Sequence, residues 1–385
     1  MPSLPRLIYA ASNRCAPLLY ESGFNAEDPF LWFATDKINA MAVSSLELGR
    51  ARKQCRPGVR VIDSGKLRQE LGLPPAAETA GAGTGAARRI AIVAEATGER
   101  HWQVPADFPL ALARELENEC GLTLTPVSDF CPARHIKTMA EIEAIRRAQR
   151  LAEAGLAKAD AILAASEIGN DGLLYCNGEL LTAEHLRGEI NAEIVRRGGN
   201  PSGTITAPGP QGADPHQAGT GPIAAHSPVV MDIFPRDEQS GYFGDLTRTR
   251  VKGHASAEVR KAYQTVLDAQ EAALAMLKPG TECASVHNMV AGHFQKQGYQ
   301  SGYDASSGAY YGFFHGLGHS VGLEIHEEPG LRPPDHTVLQ RGHVVTVEPG
   351  LYYPAWGGIR IEDTVALTEN GVDNLTTAGK FLEIE

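Results

Sequence analysis

Apolar and polar positions along the 385-residue chain follow two rhythms. In the first third, short apolar runs predict a strand at Leu7–Ala10, a hairpin from Phe30–Ala34 and Ala40–Val43, and a buried strand at Ile90–Val93. Helices are predicted near Arg14–Tyr20 and over Phe108–Cys120, and Leu122–Val127 closes a small α/β domain spanning residues 1–132. Within it, Ala80–Ala87 is glycine-rich enough to suggest a dinucleotide loop. No strand runs directly into that segment and no helix clearly opens behind it, so it reads as a flexible surface loop.

A boundary falls near Pro132–Lys137, after which helical spacing dominates. Thr138-Met-Ala-Glu141 is a capping box, in which the hydroxyl and the carboxylate satisfy each other's free N–H groups. The helix it opens carries Ile142, Ile145, Ala148, Ala152, Leu156, Ala159 and Ile162 on one face. Further helices fit Thr182–Arg197, the stretch from the Ser256 cap to Leu277, and about Glu282–Gln297. Strands fit Val229–Phe234, Tyr242–Val251, Val344–Glu348 and Ile359–Leu367. Helices grouped around one antiparallel sheet predict an α+β domain over residues 138–385.

Composition narrows the function classes. A net charge of −11 argues against a nucleic-acid partner or an anionic membrane surface. No apolar run approaches the roughly 18 residues of a transmembrane helix, and Met-Pro-Ser-Leu-Pro-Arg lacks the layout of a signal peptide. The six cysteines form no Cys-x-x-Cys pair and read as reduced thiols of a cytoplasmic protein.

Candidate chemistry lies in the C-terminal part, at Asp232, Asp245, His319, Glu348 and Glu362. Singly, an aspartate at a strand end is usually a turn residue, and a histidine in a glycine-rich loop usually has no ligand role. Glu348 and Glu362, however, both end β-branched runs that would otherwise be sheet interior. An unpaired carboxylate buried there is costly and needs a cation or hydrogen-bond donors. Four carboxylates and one imidazole suit divalent Mn, Co or Zn. Two such ions about 3.5–4 Å apart can generate a hydroxide nucleophile and clamp a developing oxyanion, which points to hydrolysis.

The strings His315-Gly-Leu-Gly-His-Ser-Val-Gly-Leu-Glu-Ile-His-Glu327, Val347-Glu-Pro-Gly-Leu-Tyr352 and Gly358-Ile-Arg-Ile-Glu-Asp363 follow Asp232 and Gly244-Asp-Leu-Thr-Arg-Thr249. Together they resemble the prolidase and aminopeptidase P family of pita-bread-fold metallopeptidases. The resemblance implies a pita-bread catalytic domain behind a small α/β domain, and two bound divalent ions, Mn favoured over Zn or Co. It implies ligation by Asp232, Asp245, His319, Glu348 and Glu362, with Asp245 and Glu362 bridging and Glu348 handling the proton. His216 and His326 would contact the substrate and its oxyanion, while Tyr352 and Arg360 would orient the ligands. His315 reads as a packing or hydrogen-bonding neighbour.

The expected substrate is a small peptide with proline second, most simply a dipeptide, and the expected assembly is a homodimer. An aminopeptidase P acting on longer peptides is the alternative, and the family's metal-free amidinohydrolases are expected to lack the ligands present here. Two departures stand out. The aspartates are two residues further apart than in much of the family, which preserves the strand period. Where many dipeptide-cleaving relatives carry a carboxylate-binding arginine, this chain has Gly330, with Arg332 as the substitute candidate. Tyr310, Tyr311, Phe313 and Phe314 offer a shelf for the proline ring or, equally, core packing.

Overall fold

A computed structural model describes residues 4–75, 85–306 and 308–385. The chain divides into two compact units, Met1–Arg134 and His135–Glu385. Among the described residues, no helix is long and apolar enough to cross a membrane.

The first unit is built on a six-stranded mixed sheet. Arg6–Ala10, Phe30–Ala34 and Asn39–Val43 run antiparallel, while Arg60–Asp63, His101–Pro105 and Thr123–Val127 join in parallel. Strand alternation splits its residues between two cores. Leu7, Leu31, Phe33 and Trp102 face one, and Ile8, Phe30, Trp32 and Met41 the other.

Ile90–Val93 corrects the expectation of a strand, because it lies inside the helix Gly85–Thr97. Ala87, Ile90 and Ala94 recur at helical spacing and are buried together, which a four-residue apolar run could not reveal. The strand that fills this position is His101–Pro105, whose buried Trp102 and Val104 alternate with polar residues. Of the glycine-rich segment, Ala80–Thr84 lies outside the described residues. Gly85–Ala87 open that helix, contrary to the expectation that none follows.

In the second unit, the capping box forms: Glu141 N–H donates to Thr138 Oγ1, and Thr138 N–H donates to Glu141 Oε2 at 2.7 Å. The helix Met139–Ala165 packs with Ala183–Arg196 against a four-stranded sheet of Ile205–Pro208, Val229–Ile233, Leu246–Lys252 and Glu383–Ile384. Helices Ala257–Met276 and Cys283–Lys296 share a core with a five-stranded sheet. Its order is Glu327–Leu331, Gly318–Ser320, Val344–Val347, Asp363–Leu367 and Val372–Asn374. The one sheet expected is therefore several, each pair of helices backing its own.

The break that matters most is within Ile359–Leu367. Gly357–Arg360 pairs with Gly350–Tyr353 as a hairpin, and Asp363–Leu367 joins the five-stranded sheet. Ile361 and Glu362 are in neither strand, so the chain changes sheets at the glutamate. Gly244, immediately before Asp245, comes so close to the long helix that a Cβ would lie 2.5 Å from the backbone of Ala148. Gly188, inside a helix, faces open space instead. Gly244→Ala should therefore destabilise by about 3 kcal/mol, whereas Gly188→Ala should stabilise by up to about 1 kcal/mol. Denaturant midpoints check both; a neutral Gly244→Ala would contradict the close packing.

Candidate metal centre

Two paired strands set the first half of the site. Val229–Ile233 and Leu246–Lys252 run antiparallel with Asp232 opposite Thr247, so these two side chains share a face. Thr249 lies two residues on, on the same face as Thr247, while Arg248 and Arg250 point to the other. Asp245 stands at the start of its strand, fixed by a Gln149 clamp. Gln149 Oε1 accepts from its N–H at 2.8 Å, and Gln149 Nε2 donates to its carbonyl at 2.9 Å.

The second half comes from the five-stranded sheet and the break beside it. Asp245, His319 and Glu362 each offer a ligand atom, all within 4.8 Å of one another. His319 Nε2 lies 3.5 Å from Asp245 Oδ2 and 3.4 Å from Glu348 Oε1. Asp232 faces Arg360, whose Nη2 donates to Asp232 Oδ2 at 2.6 Å. Arg360 also donates to Tyr352 Oη at 3.0 Å and to Thr247 Oγ1 at 3.1 Å. His315 Nε2 contacts Tyr352 Oη at 2.9 Å, extending the network away from the carboxylates.

His326 stacks edge-on to His319, with ring centroids 4.4 Å apart. His216 and His326 are both exposed. Arg332 is exposed too, and its guanidinium pairs with Glu328. Phe313 belongs to the core, whereas Tyr310 and Phe314 are exposed and Phe314 lies 5.4 Å from the Tyr352 ring. The run Tyr310–Phe314 is thus divided between packing and surface.

Hydroxyls not anticipated from the sequence hold the candidate ligands. Thr247 Oγ1 donates to Glu362 Oε2 at 2.8 Å. Thr346 Oγ1 accepts from His319 N–H at 3.0 Å and donates to Glu348 Oε1 at 3.4 Å. The alternation Leu-Thr-Arg-Thr-Arg-Val at 246–251 was the available signal, since it puts two threonines on the aspartate face.

The electrostatics are those of a site built for cations. Burial pushes the Asp245 carboxyl well above the usual carboxylate range, and Glu362, Asp232 and Glu348 add to the push. Burial, Glu348 and Asp232 do the same to Glu362. Glu348 is raised to about 8, mainly by burial, against the opposing pull of Arg360. His319 is lowered to about 3 by burial and by His326, so its 3.4–3.5 Å contacts with carboxylates are not ion pairs. A neutral imidazole is the form that binds metal. Its Nδ1 faces the Ser320 carbonyl at 3.2 Å, which assigns the proton to Nδ1 and the Nε2 lone pair to the carboxylate side.

Among the described residues, Arg360 is the sole lysine or arginine paired with any of these carboxylates, and it contacts Asp232 alone. Asp245 and Glu362 are only 4% and 2% exposed, so their charge has no solvent to spread into. The donor set fits divalent cations.

Residues 143–369 match the model of metallopeptidase family M24. The chain belongs to this family. An Xaa-Pro dipeptidase of Pyrococcus furiosus is 35% identical over 251 residues, 65% of each chain. The match thus spans just under two thirds of that relative's length. The solved prolidase of P. furiosus superposes with a TM-score of 0.76 at 25% identity, covering 98% of this chain and 97% of that one. An X-Pro aminopeptidase of Thermotoga maritima gives 0.80 at 22% identity, over 99% and 97%, which shows a shared fold. The fold of this M24 chain is the α+β pita-bread fold of its prolidase neighbours.

The pH dependence of stability follows from the raised carboxyls. Their folded values exceed the unfolded ones of about 4, so folding binds protons and the stability they contribute is complete below about pH 4. It is lost as pH rises through the folded values, to about 8 for Glu348. Adding Mn²⁺ to metal-stripped protein should therefore raise the Tm little at pH 5 and by several degrees or more at pH 8. Thermal scans at both pH values check this; an equal gain at both would contradict it.

Proposed function

We propose that this chain is a two-metal peptidase that cleaves the bond before proline in dipeptides. The observation that carries the reading is the meeting of Asp245, Glu362 and a neutral His319 at one buried point, with Glu348 beside the imidazole. The substrate class comes from the P. furiosus relative described as an Xaa-Pro dipeptidase.

Asp232, Asp245, His319, Glu348 and Glu362 would hold the two ions. The oxygen-rich set favours Mn²⁺, with Zn²⁺ and Co²⁺ as alternatives. When bound, such ions supply activation of water and polarisation of the scissile carbonyl. Glu348 takes the proton of the attacking water at its carboxylate and returns it to the departing proline nitrogen. His216 and His326, both exposed and the latter edge-on to His319, meet the substrate and steady the charge that develops on the carbonyl oxygen. Arg360, tied to Asp232, Thr247 and Tyr352, keeps the aspartate ligand in place.

The bond before proline carries no N–H, so a site that grips the carbonyl suffers nothing from its absence. Phe314, exposed beside Tyr352, offers the ring an apolar face. The same reading carries a homodimer in the cytoplasm, in keeping with six free cysteines.

A second reading, an aminopeptidase P acting on longer peptides, is favoured by one observation. Arg332, the candidate for holding a dipeptide's carboxylate, is already paired with Glu328. Turnover of Ala-Pro against Arg-Pro-Pro separates the two, and faster cleavage of the tripeptide overturns the dipeptidase reading. Arg332→Ala should raise KM for Ala-Pro several-fold with kcat little changed; an unchanged KM removes Arg332 from the site. Glu348→Gln should lower kcat by about 10³-fold or more while the metal-free protein gains stability. Activity near that of the natural chain would refute the role of Glu348.

A further inference from the structure

We infer that Arg248 is a positioning residue for the metal centre, clamping the Glu362 segment to the strand that carries Asp245 and Thr247. The inference rests on the two-metal reading above. Arg248 is fully buried, on the face of its strand opposite Thr247. A guanidinium has five N–H donors, and here each finds an acceptor. Nη1 donates to the Glu362 carbonyl at 2.5 Å and to the Thr247 carbonyl at 2.9 Å. Nη2 donates to Asp363 Oδ1 at 2.8 Å and to the Ala378 carbonyl at 2.8 Å, and Nε donates to the Gly379 carbonyl at 3.2 Å.

Glu362 needs such a partner because it stands at the break between two strands, where no regular ladder serves its backbone. Its N–H donates to the Thr247 carbonyl at 3.0 Å, so the strand grips one side of the residue and Arg248 the other. The neighbouring Asp363 matches the charge of Arg248 and is itself braced by Lys380 at 2.7 Å and Asn374 at 2.8 Å. The side chain of Glu362 is then held in register with Thr247 Oγ1 and the other ligands.

Arg250 supplies an internal control. It is equally buried on the same face, but it pairs with Asp160 and with the carbonyls of Phe381, Gly379 and, in its own strand, Thr249, making no contact with Glu362 or Asp363. Loss of either arginine costs stability; only loss of Arg248 frees Glu362. Lysine keeps the charge but not the planar fork, so Arg248→Lys should fail where a purely electrostatic role would be rescued.

The test is calorimetric titration of metal-stripped full-length chain with Mn²⁺, on the natural protein, Arg248→Lys, Arg250→Lys and Lys380→Met. Arg248→Lys should bind at least one ion about 10- to 100-fold more weakly, Arg250→Lys should bind both as the natural chain does, and Lys380→Met should weaken binding several-fold. Should Arg248→Lys not fold, Lys380→Met, altered at a partly exposed side chain, decides alone. Natural affinities in both Arg248→Lys and Lys380→Met, in Lys380→Met alone if Arg248→Lys does not fold, or an equal loss in Arg250→Lys, would overturn the inference. Fewer than two ions on the natural chain would instead overturn the two-metal reading.

Discussion

The second unit depends on repulsion that, among the described residues, Arg360 offsets only in part. Asp245 and Glu362 are buried with the half-buried Glu348 close by, and the nearby arginine makes its ion pair with Asp232. Left alone, such a cluster lowers its energy by taking up protons, and His319 beside it stays neutral. Divalent ions resolve both problems at once, because they want deprotonated carboxylates and a free imidazole lone pair. The site is poised rather than satisfied, and the surrounding structure must hold it there.

That work falls to hydroxyls, amides and two buried arginines. Gln149 fixes both backbone groups of Asp245. Thr247 and Thr346 steer Glu362 and Glu348. Arg360 and Tyr352 restrain Asp232, and His315 ends the chain of contacts. Behind the strand, the Arg248–Asp363 pair holds the break at which Glu362 leaves one sheet for another. Hydroxyls and amides fix position without changing the charge seen by a cation.

How much of this was legible in the sequence depended on the range of the interaction. The Thr138–Glu141 capping box and the hairpin at Phe30–Ala34 rest on neighbours along the chain, and both formed at the expected places. Ile90–Val93 misled because four apolar residues fit a buried strand or a helix face equally well. The break at Ile361 and Glu362 was invisible for a different reason. Β-branched residues flank it on both sides, and only the pairing of distant strands shows that the two halves serve different sheets. The threonine alternation at 246–251 was open to inspection, yet its meaning required knowing that Asp232 lies opposite Thr247. Candidate ligands could be named from residue type and local context; most of the groups that aim them could not, since Gln149, Thr247, Arg248 and Arg360 act across 96 to 128 residues of chain.

The most direct test of the central claim is anomalous diffraction from crystals of the full chain loaded with Mn²⁺. The account predicts two anomalous peaks roughly 3.5–4 Å apart, flanked by Asp245 and Glu362 and with His319 within bonding distance of one of them. A single peak, or none among these side chains, would contradict it.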